Sequence, residues 1–467
     1  MNPAILTAET TLTDVARLRA HIAGDVITPG DAEYDVARQA WNLAVDQTPV
    51  MVALPESAGD VARIVRYARD KGLRVAPQGT GHNANPIARL DDTVLLKTSR
   101  MIGVEVNVEE RYARVQAGAI WADVVGRVAE HGLTAMSGSS PDVGVVGYTL
   151  GGGLSWIGRK YGLAANHVRA IELVTADGRL VRADHESHPD LFWAVRGGGG
   201  SFGVVTAIEI ELFPFSEIYA GMLAFPIERA SEVLHAWNDL LPSLPDEMTT
   251  VGRMLRVPPL DEIPEPFRGR ELVIVEAFYL GDEADGRRLI QPLRDLGPEV
   301  DTMTTMPTRD LIHVHMDPPH PVPGEGDHAS IGDHLPAAGV DAFVEAFRSD
   351  DAAPLLMGEL RQLGGAFARS GPDHGAADTF DGSYTMFSVG MTPTPEIAEA
   401  VSRALPVMRK AMAPYEGGRE YVNFAEQKGT DVRGFFSPET FERLRAVKAE
   451  YDPEEVIRAN HPIPPKR

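Results

Sequence analysis

The sequence predicts an α+β protein of two lobes. Three features predict it: a strand–helix–strand unit over residues 49–76, a hairpin followed by a long alternating strand over residues 171–213, and a change of texture at Phe215. Beyond Phe215, Pro-rich stretches separate strong apolar strands and helices, which reads as a second lobe with a sheet backed by helices.

In chain order, PVMVALP at 49–55 forms a strand, and the helix after it takes Ser57 as N-cap and repeats Val61, Ile64, Val65 and Ala68 at helical spacing. Gly72 supplies the stop, and LRVAP forms the next strand. That strand runs into Gln78-Gly79-Thr80-Gly81-His82-Asn83, the small and polar residues of a ligand-binding loop. Short strands are expected near Val94–Leu96 and Tyr112–Ala117, then a helix from Trp121 to Glu130 that stops at His131-Gly132. Asp177-Gly178 between apolar runs marks a hairpin over 171–183. Val204–Phe213 alternates as a strand and ends at Pro214. In the second lobe a helix is expected near 227–241, strands at Leu272–Leu280, Leu355–Leu363 and Tyr384–Gly390, and a helix at Glu396–Met412. VPPLDEIPEPF and DPPHPVPGEG read as surface loops, and Ser437-Pro438-Glu439 and Asp452-Pro453 each open a helix or turn.

Composition narrows the function. The chain has 467 residues, 43% hydrophobic and 24% charged, with 44 basic against 67 acidic side chains and a net charge of −23. Such a surface repels phosphate backbones and anionic headgroups, so neither nucleic acid nor membrane is expected as a partner. The absence of cysteine removes disulfides, thiolate nucleophiles and cysteine-ligated metals. An N-terminus with early acids and no apolar core segment does not read as a secretory signal, and the expected compartment is the cytoplasm.

Two glycine clusters carry the functional signal. Gly198, Gly200 and Gly203 satisfy the letters of G-x-G-x-x-G, but a helical segment precedes them and a strand follows, the reverse of a nicotinamide-dinucleotide site. Residues 141–153, PDVGVVGYTLGGG, hold five glycines in thirteen positions. Glycine at that density is explained by backbone approaching a ligand closely, with bare N–H groups turned toward it, or by tight helix–sheet packing.

Four segments together, QGTGHN at 78–83, SSPDVGVVGYTLGGG at 139–153, DLFWAVRGGGGSFGVVT at 190–206 and YVNF with YDPEEVIRANHPIPP toward the C-terminus, closely resemble the berberine-bridge-enzyme-like flavoprotein oxidoreductases of the vanillyl-alcohol-oxidase group. The resemblance implies a two-lobed PCMH-type FAD-binding domain, residues 1–214, with an inserted substrate domain of an antiparallel sheet backed by helices, residues 215–415, and a segment 416–467 that returns to the FAD domain. It implies FAD bonded covalently through His82. Ser140 stands where many members carry a second linking cysteine, so His82 is the one link expected. Gln78 and Thr80 depart from the family's first loop, where a basic residue and a glycine are common.

By the same resemblance the pyrophosphate rests on the amides of Gln78, Gly79, Thr80 and Gly81, with Pro77 and Asn83 counted among the cofactor-binding residues. Gly144, Thr149, Gly152 and Gly153 approach the ribityl chain and ring, Tyr148 faces the ribityl chain or ring edge, Ser140, Pro141 and Val145 complete the cofactor-binding set, and Gly203 and Val205 receive the adenine. Tyr421 and Asn423, placed by alternation on one strand face, return to the flavin. Tyr421 is the expected catalytic residue, the base for a hydroxyl proton or its support, a role that needs a phenol depressed from its usual value near 10 or a direct proton relay.

His313 and His315, read as pointing to one face of an extended segment, and the following His320, His328 and His334 are expected to line the substrate cavity without forming a metal site. Glu359, Arg361 and Leu363 share one strand face and Leu360 and Gln362 the other, and one set should meet the flavin. Val143, Val145 or Val146 is expected beside the ring, small enough to leave room for dioxygen.

The function that follows is an FAD-dependent oxidase moving a hydride from a substrate C–H bearing OH or NH to flavin N5, with a small-molecule substrate and dioxygen as acceptor. The alternatives are a flavin-dependent dehydrogenase with another acceptor and a non-catalytic flavin-carrying protein.

Overall fold

Three sheets organise the chain in the computed structural model, which describes residues 8–87, 89–261 and 263–467. The first has the spatial order Asp25–Ile27, Met51–Leu54, Thr93–Lys97, Arg74–Gln78, and its last three strands run parallel. Helix Ala58–Asp70 crosses between two of them, with the Ser57 hydroxyl accepting from Asp60 N and Gly72 left-handed at its end. Its buried face is Val61, Ile64, Val65 and Ala68.

The second sheet is antiparallel, in the order Val104–Asn107, Tyr112–Gln116, Val204–Glu211, Val168–Val174, Leu180–Ala183. Its hairpin turns at Asp177-Gly178, where Gly178 has φ +80°. Helix Pro189–Gly198 comes before the glycines at 199–203 and strand Val204–Glu211 after them, so no dinucleotide-binding strand–turn–helix is present there.

The third sheet has eight antiparallel strands. Seven follow the order Val300–Asp301, Glu217–Pro226, Glu271–Tyr279, Met248–Arg256, Met357–Gln362, Tyr384–Met391, Gly324–Ile331, and Thr304–Pro307 pairs with Glu217–Pro226. Helices Ala230–Leu240, Ala337–Arg348 and Pro395–Met412 cover one face through Trp237, Phe343, Phe347 and Met408. Strand period two turns Val251, Arg253, Glu276, Phe278, Glu359 and Arg361 to the opposite face, toward Trp156 and the other two sheets. A helix-covered face and a charged face on the same strands are what place the site.

After Glu416 the chain runs back across the first two sheets. Helix Pro438–Tyr451 lays Leu444 against Gly198, and Ile457 bridges Val75 in parallel at the edge of the first sheet. Lys448 and Asp452, both buried, pair at 2.5 Å and anchor this return. Among the described residues no helix is long and apolar enough to cross a membrane.

Candidate functional site

A cavity of about 500 Å3 runs between the three sheets. Its first wall is the loop that leaves strand Arg74–Gln78, and Pro77, Gln78, Gly79, Thr80, Gly81, His82 and Asn83 all line it. Gly81 holds φ +89°, a conformation that favours glycine and turns the chain so that His82 folds back on Thr80. The Thr80 hydroxyl is 2.7 Å from His82 Nδ1, and the Trp41 indole stacks on the imidazole at 4.0 Å and 16°. On the far side, His82 Nε2 lies 3.5 Å from Asp142 Oδ1. Asp142 also accepts from the Trp41 indole N–H and from the Ser140 hydroxyl. Burial alone would raise its carboxyl, but His82 and Trp41 outweigh burial and hold it below the usual range.

The second glycine cluster is not an open loop throughout. Residues Val145–Leu150 form a short helix, which turns Val145 and Thr149 inward to the core and Gly144, Gly147, Tyr148 and Gly151 to the cavity. A Cβ on Gly151 would overlap the Asn423 amide. Ser140, Gly203 and Val205 line the cavity as expected. Pro141, Val145, Thr149, Gly152 and Gly153 lie off its wall: the Pro141 carbonyl accepts from Ala122 N, and Gly152 and Gly153 turn back to accept from Ala165 and Ala164. Gly197–Gly200 and Gly138, which the sequence reading did not assign to the cofactor, also line the cavity and belong to the same bare-backbone signal.

Tyr421 and Asn423 come together, though not on a strand. Tyr421 is extended and Val422–Phe424 is a 3-10 turn, which closes the two side chains onto one another. The Tyr421 hydroxyl accepts from Asn423 Nδ2 at 2.9 Å and from Leu154 N at 3.1 Å, and Asn423 Nδ2 also donates to the Tyr148 carbonyl at 2.9 Å. Burial pushes the Tyr421 phenol up to about 12 against the pull of Asn423, Leu154 and Arg361. It also carries Tyr148 well above 10. A depressed Tyr421 is therefore not what the fold provides.

The opposite wall belongs to the charged face of the third sheet. Arg253 Nη2 pairs with Glu276 Oε1 at 2.6 Å and donates to the His315 carbonyl at 2.9 Å. His315 is fully buried, Nδ1 2.7 Å from Glu276 Oε2 and Nε2 3.2 Å from Glu359 Oε2. Burial and Arg253 depress the imidazole, but Glu276, Asp317 and Glu359 outweigh them and raise it. Glu359, which burial would raise, is held at about 2 by Arg361 and His315. Arg361 donates to Glu359 Oε1 at 2.7 Å, and its guanidinium lies between the rings of Trp156 and Phe424, 5.3 and 5.2 Å from their centroids. Arg253, Asp317 and Arg361 reach the cavity beside Leu255, Met357 and Phe387.

Of the two strand faces read from the sequence, it is the one bearing Glu359 and Arg361 that faces the site, while Leu360 joins the helix-covered core and Gln362 accepts from Thr250. The histidines divide. His313 is exposed at the end of a 3-10 helix, Thr308–His313, and His315 points inward, so the expectation of one extended face fails. His320 is exposed, His334 is 2.8 Å from the Tyr384 hydroxyl, and His328 lies at a separate cavity of about 300 Å3 beside Arg409 and Glu420; none of the five histidines expected to line the main cavity does so, and His315 stands behind the charged wall instead.

The residues present fit FAD. The cavity is walled by glycine backbone from both clusters, and among the described residues its lining carries sealed polar atoms with no hydrogen-bond partner, including Gln78 Nε2, His82 Nε2, Asn83 Oδ1 and the Tyr148 hydroxyl. Buried polar atoms of that kind call for a polar ligand.

Comparison with known proteins agrees. Residues 49–184 match the family model "FAD binding domain", and residues 420–464 match "Berberine and berberine like". The chain is 31% identical over 471 residues to (R)-6-hydroxynicotine oxidase of Paenarthrobacter nicotinovorans, covering 95% of this chain and 97% of that protein. The crystal structure of 6-hydroxy-D-nicotine oxidase from Arthrobacter nicotinovorans superposes with a TM-score of 0.83 at 26% identity, covering 95% of this chain and 98% of the other. A chitooligosaccharide oxidase shares the fold with a TM-score of 0.81 at 20% identity, over 98% and 99% of the two chains.

Proposed function

Because the chain belongs to the berberine-bridge-enzyme-like FAD-linked oxidoreductases, we propose that it is an oxidase of a small molecule carrying a C–H next to a hydroxyl or amine, with FAD bonded through His82 and dioxygen as final acceptor. In this reading residues 1–214 and 416–467 hold the cofactor and residues 215–415 the substrate. Bound FAD supplies a hydride acceptor at N5 and, once reduced, a donor to dioxygen.

The observation that carries the reading is the hydrogen bonding of Tyr421. Its oxygen accepts from two N–H groups, Leu154 and Asn423, so its own proton is left to point into the cavity. With the phenol at about 12, Tyr421 is a hydroxyl at neutral pH. It orients the substrate heteroatom and shares a proton with it, and the two N–H donors together with Arg361 stabilise the phenolate character that develops. Arg361 is kept in place for this by Glu359 and by the two aromatic faces, and His315 and Glu276 support that carboxylate from behind. Leu255, Met357 and Phe387 give the substrate an apolar surface and exclude water from it.

The test is anaerobic mixing with a panel of secondary alcohols, sugars and cyclic amines, the hydroxynicotine of the relative's name among the first, while flavin absorbance is followed. A compound that bleaches the flavin, followed by hydrogen peroxide on admitting air, supports the oxidase. Bleaching with slow recovery in air and fast recovery with a quinone identifies a dehydrogenase, and a flavin that no compound bleaches identifies a carrier.

A further inference from the structure

We propose that Asp142 is the positioning residue for flavin attachment: it fixes His82 as the tautomer with hydrogen on Nε2, leaves Nδ1 as the bonding nitrogen, and takes the Nε2 proton as the bond forms. The inference rests on the reading that FAD is linked through His82.

The two imidazole nitrogens have different surroundings. Nε2 has essentially no exposed surface, faces the Asp142 carboxylate at 3.5 Å and makes no closed hydrogen bond, so Asp142 is the one acceptor it can turn to. A nitrogen sealed against a carboxylate cannot reach a carbon in the cavity. Nδ1 meets the Thr80 hydroxyl at 2.7 Å, and a hydroxyl can rotate away. Hydrogen on Nε2 directed to Asp142 leaves the Nδ1 lone pair to accept from Thr80, so both contacts agree on one tautomer.

The ring is also held still. Trp41 covers one face at 4.0 Å, and the same indole gives its N–H to Asp142, so ring and carboxylate share one support. The Ser140 hydroxyl, at the place where other members carry a second linking cysteine, donates to Asp142 at 2.8 Å instead. Among the described residues Asp142 has no Lys or Arg within ion-pair distance, and His82 is its one basic partner. A half-buried carboxylate without a fixed cation is suited to a positive charge that appears during reaction, here the imidazolium produced when Nδ1 bonds.

The chemistry balances with dioxygen. One hydrogen leaves the flavin 8α-methyl carbon and one leaves His82, a C8α–Nδ1 bond forms, and two electrons pass to the flavin. Dioxygen removes those electrons and, with the two protons, becomes hydrogen peroxide. Asp142 receives the imidazole proton and hands it to solvent.

Attachment is read directly, without turnover. Wild type, Asp142→Asn, Asp142→Glu and His82→Ala are purified, loaded with excess FAD in air, and sampled over time for total bound flavin and for flavin that stays with acid-precipitated polypeptide. Asparagine still accepts from Trp41 and Ser140, so Asp142→Asn should bind FAD but attach it roughly 100-fold more slowly, the loss expected of a removed general base. Asp142→Glu should recover most of that rate. Attachment by Asp142→Asn at the wild-type rate overturns the proposal. Acid-stable flavin in His82→Ala overturns the His82 reading beneath it instead. Should Asp142→Asn fail to bind FAD, the wild-type flavopeptide decides by NMR: a flavin on Nδ1 of His82 supports the assignment, and a flavin on Nε2 refutes it.

Discussion

Tyr421→Phe removes one oxygen and leaves the ring, and two consequences follow from the contacts of that oxygen. Leu154 N and Asn423 Nδ2 lose their acceptor together. An orphaned buried donor costs about 1–3 kcal/mol, and because this pair opens onto the cavity, where ligand or water can reach, the lower end applies, about 2 kcal/mol in total. For 467 residues the unfolding entropy near the midpoint is about 1 kcal/mol per degree, so the melting point should fall by about 2 °C. The chemical step should suffer more. Without the hydroxyl the substrate heteroatom loses its proton-sharing partner, and flavin reduction should slow roughly 100-fold, which is about 2.7 kcal/mol of barrier. Anaerobic stopped-flow at the flavin band measures the second effect and differential scanning fluorimetry the first. A reduction rate within about threefold of wild type, with the small thermal shift present, would refute the role assigned to Tyr421 and direct attention to Arg361 and Glu359.

Other outcomes are equally specific. His82→Ala should still bind FAD but release it into the supernatant on acid precipitation, and flavin retained with the polypeptide would exclude His82 as the link. Val143 and Val146 line the cavity while Val145 faces the core; Val146→Leu should therefore slow reoxidation of the reduced enzyme in air by roughly tenfold and leave anaerobic reduction within twofold, since one added methylene closes a gap of diatomic size. Burial raises the Glu426 carboxyl to about 7, above its ordinary 4.5. The unfolded chain then gives up this proton first, so native stability declines as pH rises from about 4.5 to about 7. Glu426→Gln should raise the melting point at pH 8 and leave it unchanged at pH 4, and equal shifts at both would show that the carboxyl is not the cause.

Much of the fold was legible because local signals agreed with tertiary ones. Ser57, Gly72, the Asp177-Gly178 turn and the Ser437-Pro438 start all appear where caps and turns were read. Strands Glu217–Pro226 and Met248–Arg256 escaped because both of their faces are buried, which erases the alternation that marks a half-exposed strand. The charged wall was only half visible for a related reason. Glu359 and Arg361 are neighbours in sequence, but Arg253, Glu276 and His315 meet them through strand pairing and a turn that no local pattern encodes. Periodicity failed in short turns too, at His313–His315 and at Tyr421–Asn423, where a 3-10 geometry replaced the assumed extension.

The bridge between Val75 and Ile457 ties the site to the order in which the chain is made. Asn460 donates to the Asn83 carbonyl across 377 residues, and His461 and Ile463 belong to the cavity wall together with Gln78. At about 5–20 residues per second the first glycine loop waits roughly 20 to 75 s on the ribosome before its far wall emerges. A cofactor that needs both walls can be enclosed only after residues 459–463 have emerged, and a nascent chain stalled before helix Pro438–Tyr451 would expose an unfinished groove to chaperones and proteases. Bound FAD then stabilises the closed cavity by mass action against states in which the far wall has come away.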